Sequence, residues 1–228
     1  MTPHIFIQAR LGSKRLPGKV LFKILGKTVI EHIVERMQRV EGAQRIILVT
    51  GPEEKNFLLV QEAKRLGIAY FCGSEENLLD RFYQASLVFR SEVIVRVTGD
   101  NPLIDPGFIS KAIPVFLKES CDILVMPGLP YGMGFEIFSQ EALQKVWQAA
   151  KEKHGKDFDT VFINPVASLL QDKEFRRKDM FYEKDLTNIR LTVDYQEDFD
   201  RAKEMYEALY RANPNFGLHE ILGFLGKR

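Results

Sequence analysis

Short runs of β-branched and aromatic residues alternate with segments of helical periodicity through the first half of the chain. This alternation is typical of parallel βαβ units, in which helices cover both faces of a sheet. We therefore expect an α/β fold with its ligand site beyond the carboxyl ends of the strands. Strands are predicted over 4–8, 45–50, 68–72, 92–98 and 122–126, and the second and third helices over 58–66 and 78–89.

The first helix has sequence signals at both ends. Apolar residues recur at helical spacing over 29–37,. Thr28 followed by Glu31 is the pattern of a capping box, and Gly42 is typical of a position just after a helix. Ser74 is the predicted N-cap of the third helix.

The second half of the chain is less regular. Because no Gly/Ser-rich linker, low-complexity segment or internal repeat divides the sequence, we predict one domain over 1–228, with a regular half over 1–120 and an irregular half over 121–228,. In the irregular half we predict strands over 135–138 and 189–193, helices over 140–153, 159–170 and 197–210, and a short helix from His219.

Composition narrows the class of protein. The 228 residues are 45% hydrophobic and 28% charged with a net charge of +1, which is ordinary for a globular enzyme and unlike a nucleic-acid binder,. The start of the chain lacks a signal-peptide pattern, and no apolar stretch approaches the roughly 20 residues of a membrane span. Cys72 and Cys121 have no metal or redox spacing,. We expect a cytoplasmic protein without nucleic-acid or membrane partners.

A basic loop follows the first predicted strand. Polyphosphate binding uses guanidinium groups that contact two phosphate oxygens at once, an ammonium charge, and backbone amides that approach the phosphates closely. This loop supplies such groups. It is not a Walker loop, because the spacing from Gly12 to Gly18 is too long and Val20 replaces the required Ser or Thr. A solvated basic turn is the alternative. The loop spans residues 8–19 and contains Arg10, Ser13, Lys14, Arg15 and Lys19.

Two aspartates come directly after predicted strands near opposite ends of the chain, Asp100 in Gly-Asp-Asn-Pro and Asp194 in Val-Asp-Tyr. Mg²⁺ is usually held by one or two carboxylates together with phosphates and waters. A pair of strand-end carboxylates facing a basic loop would suit a metal–triphosphate complex. The alternatives are an Asx turn at Asp100 and a helix cap at Asp194.

Five stretches carry a resemblance to a known family in family order over almost the whole chain. They are QARLGSKRLPGKVL at 8–21, CGSEENLLDRFYQA at 72–85, VRVTGDNPLIDP at 95–106, FEIFSQEAL at 135–143 and LTVDYQEDF at 191–199. The sequence resembles the cytidylyltransferases of the spore-coat polysaccharide biosynthesis protein F type and, more distantly, the CMP-sialic acid and CMP-Kdo synthetases. The resemblance implies a three-layer α/β fold similar to nucleotide-diphospho-sugar transferases, with a mostly parallel mixed sheet flanked by helices.

The same resemblance implies residue roles. The regular half becomes a nucleotide-binding half, and the irregular half supplies the acceptor site and a metal aspartate. Asp100 and Asp194 match Mg²⁺ ligands, and Asn101 and Glu136 lie where the acceptor would bind. Arg10 and Lys19 would stabilise a leaving pyrophosphate, so the predicted catalytic residues are Arg10, Lys19, Asp100 and Asp194. The predicted nucleotide contacts are Gln8, Ala9, Arg10, Leu11, Gly12, Ser13, Arg15, Lys19, Ser74, Arg81, Thr98 and Gly99.

The acceptor side departs from the family pattern. Gly134 stands where relatives carry Asp, two residues before Glu136, and the stretch 161–165 reads Val-Phe-Ile-Asn-Pro where relatives read Glu-His-Val-Thr-Pro. We expect a more apolar acceptor pocket. The acceptor is then smaller or less hydroxylated, or it is bound mainly through its charge. The loop at 127–133 is interpreted as a lid or a dimer contact, and we expect a homodimer.

The sequence thus predicts transfer of CMP from CTP to a small acceptor with release of pyrophosphate, in surface glycan or related biosynthesis. A sugar acid, a sugar phosphate or another small phosphorylated or carboxylated metabolite would be the acceptor. Two alternatives stay open. The chain could use another nucleotide on the same fold, or it could be a nucleotide-binding regulator without catalysis.

Overall fold

The computed structural model describes residues 2–226. The strands are β1 (Pro3–Gln8), β2 (Lys23–Ile24), β3 (Lys27–Thr28), β4 (Arg45–Thr50), β5 (Ala69–Cys72), β6 (Val93–Thr98), β7 (Ile123–Val125), β8 (Glu136–Ser139) and β9 (Arg177–Asp179). The helices are α1 (Val29–Met37), α2 (Glu53–Arg65), α3 (Leu78–Phe89), α4 (Pro106–Glu119), α5 (Gln140–His154), α6 (Pro165–Gln171), α7 (Gln196–Leu209) and α8 (Leu218–Leu225).

Seven strands form one mixed sheet in the order β5-β4-β1-β6-β8-β7-β9. The pairs β1–β4, β1–β6, β4–β5 and β7–β9 are parallel. Strand β8 runs antiparallel to both β6 and β7, so it alone opposes the others in this sheet. The predicted α/β class with a mostly parallel mixed sheet is confirmed.

Side chains on the two faces of the sheet enter separate cores. On β1, Ile5 and Ile7 join one core and Phe6 joins the other, as the two-residue period of a strand requires,. Helices α1, α2, α4, α7 and α8 contribute to the Ile5 core, and α3, α5 and α6 contribute to the Phe6 core. Helices therefore cover both faces, which confirms the predicted three layers.

Three predicted helix-end signals are wrong, and for α3 and α6 the reason is that a different residue caps the helix. Helix α3 is capped by Asn77, whose side chain accepts from Asp80 N at 2.9 Å, and not by Ser74. Helix α6 begins at Pro165 instead of 159, because Asn164 accepts from the first free amides of that helix. Helix α1 ends at Met37, well before Gly42, while its predicted N-cap Thr28 is confirmed.

The irregular half also differs from prediction in its strands. Residues 189–193 do not form a strand of the sheet, and only an isolated bridge joins Arg190 to Tyr131. The strand at the edge next to β7 is β9 instead, although its sequence Arg-Lys-Asp lacks an apolar pattern. Among residues 2–226, no helix has the length and apolar character that crossing a bilayer requires.

The loop before β8 is bonded to the segment that follows β9. Tyr131 N donates to Ile189 O at 2.9 Å, and Leu191 N donates to Tyr131 O at 2.7 Å. Gly132 makes this approach feasible, because it has φ +102° and a Cβ there would lie 2.3 Å from Thr192 N,. The loop is therefore a fixed wall and not a free lid.

Replacing Gly132 tests this close approach. We expect Gly132→Ala to lower the free energy of unfolding by about 2–4 kcal/mol, because the new methyl group meets backbone atoms at a positive φ. Gly134→Ala is the matched control in the same loop, where an added Cβ has nothing within 4 Å. Urea denaturation measures both, and equal stability of the two variants would contradict the assignment.

Candidate active site

The carboxyl ends of β1 and β6 meet closely and form the floor of a cavity. Gly99 N donates to Gln8 O at 2.8 Å, and a Cβ at Gly99 would lie 2.6 Å from the Cβ of Ala9. The close contact explains why a glycine follows β6. The cavity has a volume of about 360 Å³ and is lined by Gln8, Ala9, Arg10, Ser13, Lys14, Arg15, Lys19, Val20, Glu75, Leu78, Arg81, Thr98, Gly99, Asp100 and Phe162.

The basic loop folds back on itself above this floor. Leu11 N donates to Asn56 Oδ1 at 2.9 Å, which ties the loop to helix α2. Gly18 N donates to Leu11 O at 3.1 Å, and Gly18 has φ +71°, a conformation that favours glycine,. This turn leads directly into the 3-10 helix Lys19–Leu21 and fixes the position of Lys19.

Lys19 is a buried cation that joins the two aspartates. Its Nζ lies 2.8 Å from Asp100 Oδ2 and 2.9 Å from Asp194 Oδ1, and it also donates to Val193 O at 2.6 Å. An ammonium has three N–H donors, so these three acceptors satisfy it completely. The Lys19 and Asp194 side chains are only 7% and 2% exposed, whereas the Asp100 side chain is 28% exposed.

Asp194 is held from its other side by Arg190, whose Nη2 lies 3.0 Å from Asp194 Oδ2. The same guanidinium donates to both carboxylate oxygens of Asp198 at 2.8 and 2.9 Å. Burial raises the pKa of Asp198, but hydrogen bonds from Arg190 and from two backbone amides outweigh it and lower that pKa to about 2,. Hydrogen bonding to Asp198 and Asp194 raises the pKa of Arg190. Asp194 therefore has a fixed orientation.

Two arginines of the basic loop are accessible at the cavity. Arg15 Nη2 lies 2.6 Å from Asp194 Oδ1, and its guanidinium is 5.4 Å from the centroid of the Tyr195 ring. Arg10 Nη1 lies 3.1 Å from Glu75 Oε1. The Arg15 and Arg10 side chains are 50% and 43% exposed, so both can turn toward an anion. A triphosphate in this cavity would meet cations that can still move.

The two aspartates fit a divalent cation that takes its remaining ligands from substrate and water. Their oxygens converge on one Lys19 Nζ, which shows that a single positive charge can reach both. Asp100 Oδ1 accepts no hydrogen bond from residues 2–226, and Arg15 can leave Asp194 Oδ1 because its side chain is half exposed. Within the same residues no group of three His, Cys, Asp or Glu could hold an ion, so a complete protein cage is absent,.

A second cavity adjoins the first at Arg15, Thr98 and Asp100. Its volume is about 430 Å³, and the loop 126–134 forms one wall. Asn101 Oδ1 is buried there without a hydrogen-bond partner, while its Nδ2 donates to Thr98 Oγ1 at 2.8 Å. A buried acceptor without a partner is costly, so a ligand donor at Asn101 would be stabilising.

Glu136, predicted to contact the acceptor, lines this second cavity, but it is not a free carboxylate. Arg96 Nη1 donates to Glu136 Oε2 at 2.7 Å, and Arg96 Nε donates to Gln8 Oε1 at 2.8 Å. Phe162, predicted to add apolar wall to the acceptor pocket, lines the first cavity and is 65% exposed. The walls of the second cavity include the polar side chains of Asn101, Glu136 and Thr187.

Comparison with known proteins identifies the family. The sequence profile described as Cytidylyltransferase matches residues 4–216. This chain belongs to the cytidylyltransferase family. It is accordingly an enzyme of nucleotidyl transfer, and the predicted resemblance is confirmed.

Two relatives match over nearly the full length of this cytidylyltransferase. An uncharacterized protein of Methanocaldococcus jannaschii is 34% identical over 226 residues, covering 97% of this chain and 89% of that protein. The spore coat polysaccharide biosynthesis protein SpsF of Bacillus subtilis is 27% identical over 226 residues, covering 97% and 92%. The similarity therefore includes both halves of the chain.

Solved structures agree with the family. A cytidylyltransferase from Leptospira borgpetersenii superposes with a TM-score of 0.86 at 26% identity, covering 100% of this chain and 94% of that one. A CMP:2-keto-3-deoxy-manno-octonic acid synthetase, solved with CTP, gives a TM-score of 0.68 at 16% identity, covering 91% and 99%. The second likeness, at this low identity, concerns the fold alone.

The first cavity gathers most of the predicted nucleotide contacts of this cytidylyltransferase. Leu11, Gly12 and Ser74 do not line it. Leu11 packs against the core, Gly12 faces Glu75, and Ser74 instead accepts from Arg81 Nε through its carbonyl oxygen at 2.7 Å. The predicted residues that line the first cavity are Gln8, Ala9, Arg10, Ser13, Arg15, Lys19, Arg81, Thr98, Gly99 and Asp100, and those that line the second include Asn101, Glu136 and Asp194.

Three charged residues at the site were not predicted from the sequence. Arg96 is a single cation inside the apolar strand β6, Arg190 stands four residues before Asp194, and Glu75 follows the predicted cap. A lone charge in a buried strand is the one signal that could have revealed a functional residue, because burying it requires a partner.

Lys19→Met tests the buried cluster. We expect a loss of about 3–5 kcal/mol in the free energy of unfolding, because Asp100 and the buried Asp194 then lose their shared cation. Lys14→Met in the same loop is the control and should stay within about 0.5 kcal/mol of the native protein. If the aspartates fit a divalent cation, millimolar Mg²⁺ should restore stability more in Lys19→Met than in the native protein. An unchanged unfolding midpoint for Lys19→Met would contradict the role of the cluster.

Proposed function

We propose that this chain transfers CMP from CTP to a small acceptor and releases pyrophosphate in surface glycan or related biosynthesis. The observation that carries the proposal is the junction of the two cavities at Asp100, with exposed arginines in one and hydrogen-bonding groups in the other. The choice of CTP rests on the family and on the structural neighbour solved with CTP.

In the first cavity the basic loop binds the triphosphate. Arg10 and Arg15 turn from their present carboxylate partners to the phosphate oxygens, since both side chains are about half exposed. Lys14 and the hydroxyl of Ser13 line the same cavity. Guanidinium–phosphate contacts are frequently bidentate, so they fix the orientation of the phosphate chain as well as its charge.

Asp100 and Asp194 would hold Mg²⁺ against the triphosphate in this proposal. The chemistry that such an ion supplies is neutralisation of charge on the phosphate oxygens during the transfer. Lys19 keeps the two carboxylates at a fixed separation, and Arg190 keeps Asp194 in its orientation. The chain thus organises the site before the nucleotide binds.

The transfer is an in-line displacement at the α-phosphorus. An acceptor oxygen forms the new P–O bond while the bond to the β-phosphate oxygen breaks, and pyrophosphate leaves with that electron pair. Arg10 faces the leaving group and stabilises its charge. A carboxylate or phosphate acceptor arrives without a proton and needs no general base.

The acceptor occupies the second cavity. Asn101, Thr187 and Thr192 line it and offer hydrogen bonds to hydroxyls, while Arg96 is paired there with Glu136. These groups favour a small hydroxylated acceptor, such as a sugar acid or a sugar phosphate. Within this proposal residues 1–228 act as one domain, and the expected homodimer and cytoplasmic location stay predictions.

The basic loop can be tested with two nucleotides. We expect Arg10→Ala and Arg15→Ala each to weaken CTP binding about tenfold or more and CMP binding far less, because charge-assisted bonds to phosphate contribute about 1.5–3 kcal/mol. Calorimetric titration of both nucleotides with Mg²⁺ measures the difference. Arg201→Ala, an exposed arginine on α7, is the control and should bind CTP normally. Equal losses for CTP and CMP would show that these arginines do not hold the outer phosphates.

Pyrophosphate release tests the reaction itself. The native protein is incubated with Mg²⁺, CTP and, in turn, N-acetylneuraminate, 3-deoxy-manno-octulosonate, glucose 1-phosphate, glycerol 3-phosphate or phosphoserine. We expect release with at least one anionic acceptor and formation of its CMP adduct by mass spectrometry. If pyrophosphate is released with ATP, GTP or UTP but not with CTP, the chain uses another nucleotide as its donor. CTP binding without release in every mixture would favour a non-catalytic regulator.

A further inference from the structure

Arg96 lies in the wall between the two cavities. It belongs to β6, where it stands opposite Phe6 of β1 on one side and Glu136 of β8 on the other. Its side chain is only 12% exposed. A guanidinium at this position can therefore reach the strand ends that border both cavities.

Its two hydrogen bonds go to residues of different cavities. Gln8, which accepts from Arg96 Nε at 2.8 Å, lines the first cavity, and Glu136, which accepts from Arg96 Nη1 at 2.7 Å, lines the second. Arg96 itself lines the second cavity and does not line the first. An effect of Arg96 on the nucleotide must then pass through Gln8.

The chemistry of these bonds fixes both partners. A guanidinium only donates, so the Gln8 atom that faces Arg96 must be Oε1, and the Nε2 amino group is left to donate elsewhere. Likewise, Glu136 uses Oε2 for Arg96 and keeps Oε1 as an acceptor for a ligand hydroxyl. One side chain thus orients a donor for one cavity and an acceptor for the other.

The stability of the sheet does not by itself explain the ion pair. Replacing a buried ion pair by apolar residues of similar size is often neutral or stabilising, and the neighbours of Arg96 on β6 are Val95 and Val97,. A charge kept inside an otherwise apolar strand calls for another explanation, which its position between the cavities supplies.

We propose that Arg96 is a positioning residue that couples the nucleotide cavity to the acceptor cavity, by orienting Gln8 toward the nucleotide and Glu136 toward the acceptor. The proposal rests on the proposed function for the assignment of the two cavities. Its first consequence concerns CTP alone and can be measured before any acceptor is known.

A double-mutant cycle on CTP binding is the first test. We expect Arg96→Met and Gln8→Ala each to weaken Mg²⁺–CTP binding about tenfold, as loss of one oriented hydrogen bond implies, and the double variant to be no weaker than either. Arg96→Lys keeps the positive charge, but its single ammonium spans Gln8 and Glu136 less well than a guanidinium does. Its CTP affinity should therefore lie between that of the native protein and that of Arg96→Met. Arg177→Met, which removes an ion-paired arginine from β9, is the control and should bind CTP normally.

Additive losses in this cycle, or native CTP affinity for Arg96→Met, would overturn the proposal. Thermal melting is measured for every variant. If Arg96→Met does not fold, Arg96→Lys replaces it in the double-mutant cycle. Because Arg96→Met leaves Glu136 without its cation, a lower melting temperature is expected in either case,. A purely structural role predicts additive losses of CTP affinity, whereas a positioning role predicts that the losses from Arg96→Met and Gln8→Ala do not add.

A second cycle pairs Arg96→Met with Glu136→Ala and follows kcat/KM at saturating CTP with the five acceptors named above. We expect the two single variants and the double variant to lose similar factors, and additive losses would overturn the acceptor half of the proposal. If the native protein turns over none of the five acceptors, the proposed function has failed on that panel, while the CTP cycle still decides the role of Arg96.

Discussion

The active-site edge depends on one buried ammonium. Lys19 joins the loop after β1 to Asp100 beyond β6 and to Asp194 before α7, which lie far apart in the sequence. Since Asp194 is almost fully buried, its charge is tolerable only with fixed cationic partners, and Lys19 and Arg190 provide them,. Loop, strand end and helix start are consequently locked together at the place where the two cavities meet.

Most of the fold could be predicted because its strands follow simple periodic patterns. The buried runs of β1, β4 and β6 and the helix after Thr28 have local signals that tertiary contacts do not alter. Strand β9 could not be predicted, because its sequence Arg-Lys-Asp is that of an exposed turn and only pairing with β7 makes it a strand. Residues 189–193 show the converse, an apolar alternation that is bonded to a loop instead of to the sheet.

The residue types of the candidate site could be predicted from the sequence, but the ion pairs between them could not. Glycines, cations and carboxylates at strand ends can be recognised by residue type, so most of the residues that line the first cavity could be predicted. Ion pairing is not visible in a sequence, so neither the neutralisation of Glu136 by Arg96 nor the saturation of Lys19 could be foreseen. The position of Phe162 at the first cavity could not be foreseen, because residues 158–164 follow an irregular path that no periodicity describes.

The reversed direction of β8 has a consequence for how such a site can change. A parallel strand presents its carboxyl end at this edge, followed by a loop that must return the chain to the opposite edge through a helix. Strand β8 instead presents its amino end, so Glu136 is reached directly from the loop 126–134, and that loop is anchored through Gly132 rather than through the β1 loop. Insertions or exchanges in this segment can reshape the second cavity while the floor of the first cavity keeps its geometry, so the two cavities can evolve separately.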